Sequence, residues 1–309
     1  MSEFDGQEGR PSFTPIGDYD HEQPFSGSFN GNGHVISNLT VTEDSHDYVA
    51  MFGFINLGGE VRNMGLEDVT VIASSTEAVG GLVARCGSSG SAGIISDCYV
   101  TGTITGRGMV GGLAGRVNTV SQVSRCYTDV EITVPDVGWC EDIGGLIGFC
   151  NGTIAECYSS GSINTQSASC ESVGGFAGRS RRHSDISNCY SNASIIADDV
   201  DGCGGFVGSD DWGDGGGSIV NCYSTGLVTA TGEAIGGFSG RSSFTESWCF
   251  WDTETSGMTT SGVGQGLPTA SMQLKSTFDN AGWVFATDTL GGAWAMADGL
   301  SYPKLAALY

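Results

Sequence analysis

The stretch "IGGLIGFCNGTIAECYSSGSI", residues 143–163, holds a glycine pair, a polar turn, a cysteine beside a tyrosine, then another glycine and a β-branched tail. Near-copies run along the chain. Glycine pairs fall at 80–81, 111–112, 144–145, 174–175, 204–205 and 236–237, so successive units are 31, 33, 30, 30 and 32 residues apart. Their frames are "VGGLVA", "VGGLAG", "IGGLIG", "VGGFAG", "CGGFVG" and "IGGFSG", and a degenerate earlier copy, "VAMFGF", begins at Val49. A second frame follows each pair: "ISDCYV", "VSRCYT", "IAECYS", "ISNCYS" and "IVNCYS", with a worn last copy in "ESWCFW". A third β-rich piece closes each unit, such as "GTITG", "VEITV", "GSINT" or "GLVTA".

Three brief strand-like segments joined by Gly, Ser, Asn and Asp turns, with no sustained helical period before residue 265, predict an all-β chain. One such unit cannot bury its own apolar face, whereas stacked units create a continuous core. The fold expected is a single-stranded right-handed parallel β-helix, or β-solenoid, of about eight coils. Each coil has three short strands, neighbouring coils lie about 4.8 Å apart, and both ends are capped. The rival is a propeller, whose blades need about four strands in about 40 residues or more.

Composition agrees. Glycine is 51 of 309 residues with only six prolines and no G-X-Y period, which excludes collagen, and 39% hydrophobic residues argue against wholesale disorder. No apolar run of about 18 residues is present, so no membrane insertion is expected. The first twenty residues show no secretory signal pattern. A net charge of −23, from 12 basic and 35 acidic residues, repels nucleic acid and anionic membranes. It suits an extracellular, marine or high-salt setting, or plain solubility.

The GGLxG frame followed by I-x-N-C-Y-S and G-x-V resembles the GLUG-motif repeat of bacterial and archaeal surface proteins. "FSGSFNGNGHVISNL" (25–39) resembles the segment that opens such arrays, and "CFWDTETSG", "STFDNAGWVF" and "YPKL" match its tail. The resemblance runs from about Phe13 to Leu305. It implies a secreted or cell-surface β-helix used as an adhesin stalk or binding module.

The division expected is a lead-in and cap over 1–24, repeats over 25–252 and a C-terminal cap over 253–309. In that cap, 269–277 reads as a short helix, and Trp283, Phe285, Trp294, Tyr302 and Leu305 read as apolar plugs for the core. Of eleven cysteines, Cys98, Cys126, Cys157, Cys189, Cys222 and Cys249 share one repeat position. Leu39 and Met64 hold it in the earliest coils, which makes the row a buried stack of small hydrophobes. An aliphatic row stands three residues earlier, an offset that places both inside only if a corner falls between them. The residue just before the cysteine is the candidate corner. Cys140 and Cys170 each precede a glycine pair by four residues, so they stack in adjacent coils within disulfide reach. Cys86 and Cys150 share a register but lie two coils apart, too far for a bond.

Arg85, Arg116, Arg179 and Arg241 recur just after the glycine frame. Such a stripe either grips anionic sugars, since the guanidinium fork fits carboxylates, or neutralises an acidic surface. Asp210, Asp211 and Asp214 form an oxygen-rich loop that is a candidate for calcium, the one cofactor considered. Pairing of Asp211 with Arg181 of the preceding coil is the other reading. Sequons stand at Asn38, Asn151 and Asn192. No G-x-S-x-G, HExxH or P-loop occurs and the four histidines are scattered, so no catalytic residue is assigned. The expected role is non-enzymatic: an extracellular adhesion module presenting a rigid polar face to glycans, partner proteins or copies of itself. A polysaccharide lyase or hydrolase on a β-helix is one alternative, and a spacer or filament subunit is another.

Overall fold

The computed structural model describes residues 13–17, 23–42, 47–73, 77–135, 138–165, 168–210, 217–242, 245–286 and 291–308. The strands that follow the glycine pairs, from Phe52–Ile55 to Ser239–Arg241, stack in chain order as one seven-stranded parallel sheet. The remaining strands of each unit pair with their counterparts one unit on, also in parallel, and wrap the other sides as a continuous sheet. The fold is therefore a parallel β-solenoid. It has seven rungs rather than about eight. Ahead of Val49 the glycine frame is missing: on that side an eighth turn keeps only bridges from Ile16 to Phe52 and from Phe25 to Ile55, while its strands Ser28–Ser37 and Thr40–Thr42 still pair with Gly59–Ile72.

Each coil turns on one residue. Asn63, Asp97, Arg125, Glu156, Asn188, Asn221 and Trp248 all adopt left-handed backbone, with φ between 50° and 57°. This is the corner that the three-residue offset demanded. It lets Val61, Ile95, Val123, Ile154, Ile186 and Ile219 point inward on one side and the cysteines on the other. All six row cysteines are buried, each with its thiol directed at the carbonyl two residues back, as in Cys157 to Ala155 at 3.2 Å. Burial pushes the thiols of Cys126, Cys157, Cys189 and Cys222 well above the ordinary range.

One alignment needs correcting. Leu39 does not head the cysteine row, because His34 pairs with Met64 and Thr40 with Thr70, which leaves Leu39 beside Val69. The row starts at Met64, which pairs with Cys98. The cause is a bulge between Asn30 and His34, where Asn32 and Gly33 turn left-handed and shift the opening frame.

Cys140 and Cys170 pair in register and are disulfide-bonded, with Cα atoms 4.5 Å apart. Val117 lies between Cys86 and Cys150, which stay free. A second bond type ties the two frames together. The hydroxyls of Thr128, Ser159 and Ser224, each two residues after a row cysteine, donate to the carbonyls of Gly145, Gly175 and Gly237 at 2.7–2.8 Å. A buried hydroxyl needs such a partner.

The expected C-terminal helix is two short ones, Thr269–Met272 and Lys275–Asn280. Its aromatics do not plug the bore. Trp283, Phe285, Trp294 and Leu305 form a separate cluster with Tyr190, Tyr223 and Phe250 on the outside of three successive coils.

Peptide mapping without reductant should find Cys140 joined to Cys170, with nine free thiols that react only after unfolding. Closing a loop of 30 residues should contribute about 3–4 kcal/mol, so Cys140→Ser should lower the urea midpoint accordingly. Glu156→Gly should raise stability by about 1 kcal/mol by relieving left-handed backbone. Glu131→Gly, in the regular strand Tyr127–Thr133, should lower it by about 0.5–1 kcal/mol.

Candidate functional site

In the seven-stranded sheet the fourth position faces the core, as Ile55, Cys86, Val117 and Cys150 do, so the third faces outward. Register then stacks Phe54, Arg85, Arg116, Phe149, Arg179, Ser209 and Arg241 as one row. The four predicted arginines are thus brought together on one face, and each is engaged. Arg85 donates to the Tyr48 hydroxyl at 3.2 Å. Arg116 donates to Asn118 Oδ1 at 3.0 Å, and its guanidinium lies 4.8 Å from the Phe149 ring centre. Arg179 bonds Asp142 at 2.9 Å and also Glu171, while Arg241 bonds Glu233. An incoming carboxylate would compete with acids already in place. Asp142 is fully buried, and this desolvation pushes its carboxyl up to about 7 against the pull of Arg179.

Of the acidic loop, Asp210 is among the described residues. Asp210 is buried at the end of Val207–Asp210 and pairs in register with Ser180. Asp211 and Asp214, and with them the expected Asp211–Arg181 contact, lie outside the described residues. Among the described residues, no group of three or more His, Cys, Asp or Glu is placed to hold a metal ion.

The most regular outer feature is one that reading the cysteines passed over. Every row cysteine is followed by an aromatic, and because the cysteine points in, the aromatic points out. Tyr99, Tyr127, Tyr158, Tyr190 and Tyr223 stack in parallel with ring centres 4.8–5.0 Å apart. Phe250 continues the row in register. The C-terminal segment covers only its far half. Trp294 packs on Tyr190 and Tyr223 and donates its indole N–H to Asn188 Oδ1 at 3.2 Å, and the Tyr223 hydroxyl donates to the Pro303 carbonyl. Tyr99 and Tyr127 stand outside that cluster and Tyr158 at its margin, all three partly exposed. Beside them run the corner residues, where Arg125 grips Asp97 through two bonds of 2.6 and 2.8 Å. The signal for this row was an aromatic at one repeat position in six successive coils.

Comparison with known proteins adds four findings. The family model of the GLUG motif matches residues 169–196. Halomucin of Haloquadratum walsbyi is 36% identical over 104 residues, covering 33% of this chain and 1% of halomucin. A provisionally named Gly-rich membrane protein of Evansella cellulosilytica is 33% identical over 109 residues, covering 33% of this chain and 12% of that protein. The chain therefore spans only a small part of the relatives it matches. The crystal structure of a candidate immunoglobulin A1 protease from Bacteroides ovatus superposes with a TM-score of 0.59 over 97% of this chain and 83% of its own, at 20% identity, a likeness of fold alone. No helix among the described residues is long and apolar enough to cross a membrane. The chain thus carries the GLUG motif at 169–196, and the same sequence frame recurs in the flanking coils of a parallel β-solenoid.

Proposed function

We propose that this solenoid is an extracellular surface module that binds glycans or partner proteins along its tyrosine-bearing side. The observation that carries this is the unequal coverage of the tyrosine row. Where the row is covered, Trp294 settles on it and bonds to the corner residue Asn188, and the row's own Tyr223 hydroxyl donates to the Pro303 carbonyl of the covering segment. The same kind of surface continues past the cap through Tyr158, Tyr127 and Tyr99. Stacked rings present their edges and phenolic ends, with the polar corner side chains alongside. Such mixed aromatic and hydroxyl surfaces suit recognition of polar partners. The similarity to halomucin and to a protein named for a membrane supports a surface location.

A glycan array should return at least one ligand, and Tyr127→Ala with Tyr158→Ala together should weaken it about tenfold, the loss typical of removing a buried aromatic anchor. The same glycans incubated with the protein should yield no new reducing ends and no unsaturated products. Turnover would make the chain a carbohydrate-active enzyme instead. A blank array together with end-to-end assembly under the microscope would make it a spacer or filament subunit.

A further inference from the structure

The corner row ends in an anomaly. Where the preceding coils place Asn63, Asp97, Arg125, Glu156, Asn188 and Asn221, the last places Trp248 at φ 57°. Asparagine tolerates left-handed backbone because its short side chain bonds locally, whereas a bulky aromatic there is strained. The ring is also not tucked away, since Trp248 is 57% exposed. Both the backbone and the exposed apolar ring carry a cost that Asn221, one coil earlier, avoids. A strained, exposed aromatic of this kind points to a surface contact.

Trp248 lines a cleft of about 400 Å³ together with Glu246, Gly264 and Gln265, within the size range of small-molecule sites. The cleft opens because the stack ends here. Thr245–Ser247 pairs with Ser218–Val220 on one side and with no strand on the other among the described residues. Glu246 takes the register of the buried Ile219, so a carboxylate now stands where the six preceding coils, from Val61 to Ile219, hold an aliphatic core residue. Neither Glu246 nor Gln265 has its side chain engaged by another described residue.

The geometry points to Trp248 as the stacking platform of a neutral pyranose site, with Glu246 and Gln265 bonding the sugar hydroxyls. A pyranose offers an apolar C–H face for the indole and a rim of hydroxyls for a carboxylate and an amide. The lining has no cation, and with Glu246 present and a net charge of −23 it selects against uronic acids and sulfated sugars. This inference rests on the glycan-binding form of the proposal above and adds to the tyrosine row a separate site in the last coil, with its own ligand class.

Oxidative footprinting with N-bromosuccinimide tests it on the wild-type chain, read by peptide mass at each of the six tryptophans. Cellohexaose, mannohexaose, laminarihexaose and chitohexaose serve as neutral probes and polygalacturonate as the acidic one. At least one neutral probe should protect Trp248 fivefold or more, and polygalacturonate should not. Trp248→Asn should bind that probe at least tenfold more weakly with an unchanged or higher melting temperature, and Trp248→Tyr should keep most of the binding. If Trp248→Asn fails to fold, Gln265→Ala takes its place, with a loss of at least threefold expected. Binding of a neutral probe that leaves Trp248 unprotected overturns the site while sparing the wider glycan-binding role. No binding by any probe, alongside a blank array, overturns both. Concentration-dependent protection of Trp248 without sugar would assign the cleft to strand pairing between copies and likewise overturn the inference.

Discussion

In six of the seven coils two glycines let the backbones meet, and each glycine of the pair answers a different need. A Cβ on the first would strike a carbonyl oxygen of its own coil, as at Gly111 against Ala114, Gly144 against Ile147 and Gly174 against Ala177. A Cβ on the second would strike the next coil, as at Gly112 against Gly145, Gly145 against Gly175 and Gly175 against Gly205. The closeness is put to use. Gly145, Gly175 and Gly205 donate their N–H groups to Gly174, Gly204 and Gly236 at 3.0–3.3 Å. The carbonyls of Gly145 and Gly175 then accept the hydroxyls of Thr128 and Ser159. That is why the glycine frame and the Cys-Tyr-Ser/Thr frame travel together. Losing either would leave a polar group buried without a partner, at a cost of about 1–3 kcal/mol.

With the spacing set, every position becomes a row, and a row amplifies whatever chemistry it carries. Left-handed backbone at each corner costs about 1–2 kcal/mol for an ordinary residue, and the price recurs once per coil. Several coils offset it with bonds between corner neighbours. Arg125 clasps Asp97 and holds its carboxyl below the usual range, and Asn221 reaches Asn188 at 3.4 Å. The arginine row solves the opposite difficulty. Like charges about 4.8 Å apart repel, so Phe149 and Ser209 interrupt the row, and Asp142, Glu171 and Glu233 bond its later members.

Most of the fold was legible because a solenoid writes its contacts into a short period. The Ile-to-Cys offset required a corner at one residue, and φ turns positive there in coil after coil. The four arginines and the Cys140–Cys170 pair fell into line by counting from the glycines alone. What escaped had no periodic trace. Leu39 was misplaced because the bulge at Asn32 and Gly33 lengthens the first coil while leaving a motif-like "ISNL" behind. The path of the C-terminal segment was hidden for a different reason. Its anchors, Tyr223 to Pro303 and Trp294 to Asn188, join residues 80 and 106 positions apart. Nothing local in "YPKL" or "GGAWA" announces which side of the solenoid it will cover.

A surface made of identical rungs cannot by itself choose one partner, since every coil offers the same atoms about 4.8 Å further on. Selectivity must come from coils that break the pattern. Gly65 stands in register with Tyr99 and ends the tyrosine row at one side, and the folded-back cap ends its open stretch at the other. Trp248 breaks the corner row in the last coil. These departures are affordable because stability in such a fold is close to a sum over coils and their neighbours. A rung that gives up a corner bond or takes on a strained side chain weakens its own two interfaces and leaves the rest of the stack intact. The regular coils therefore supply rigidity, and the irregular ones are free to supply chemistry.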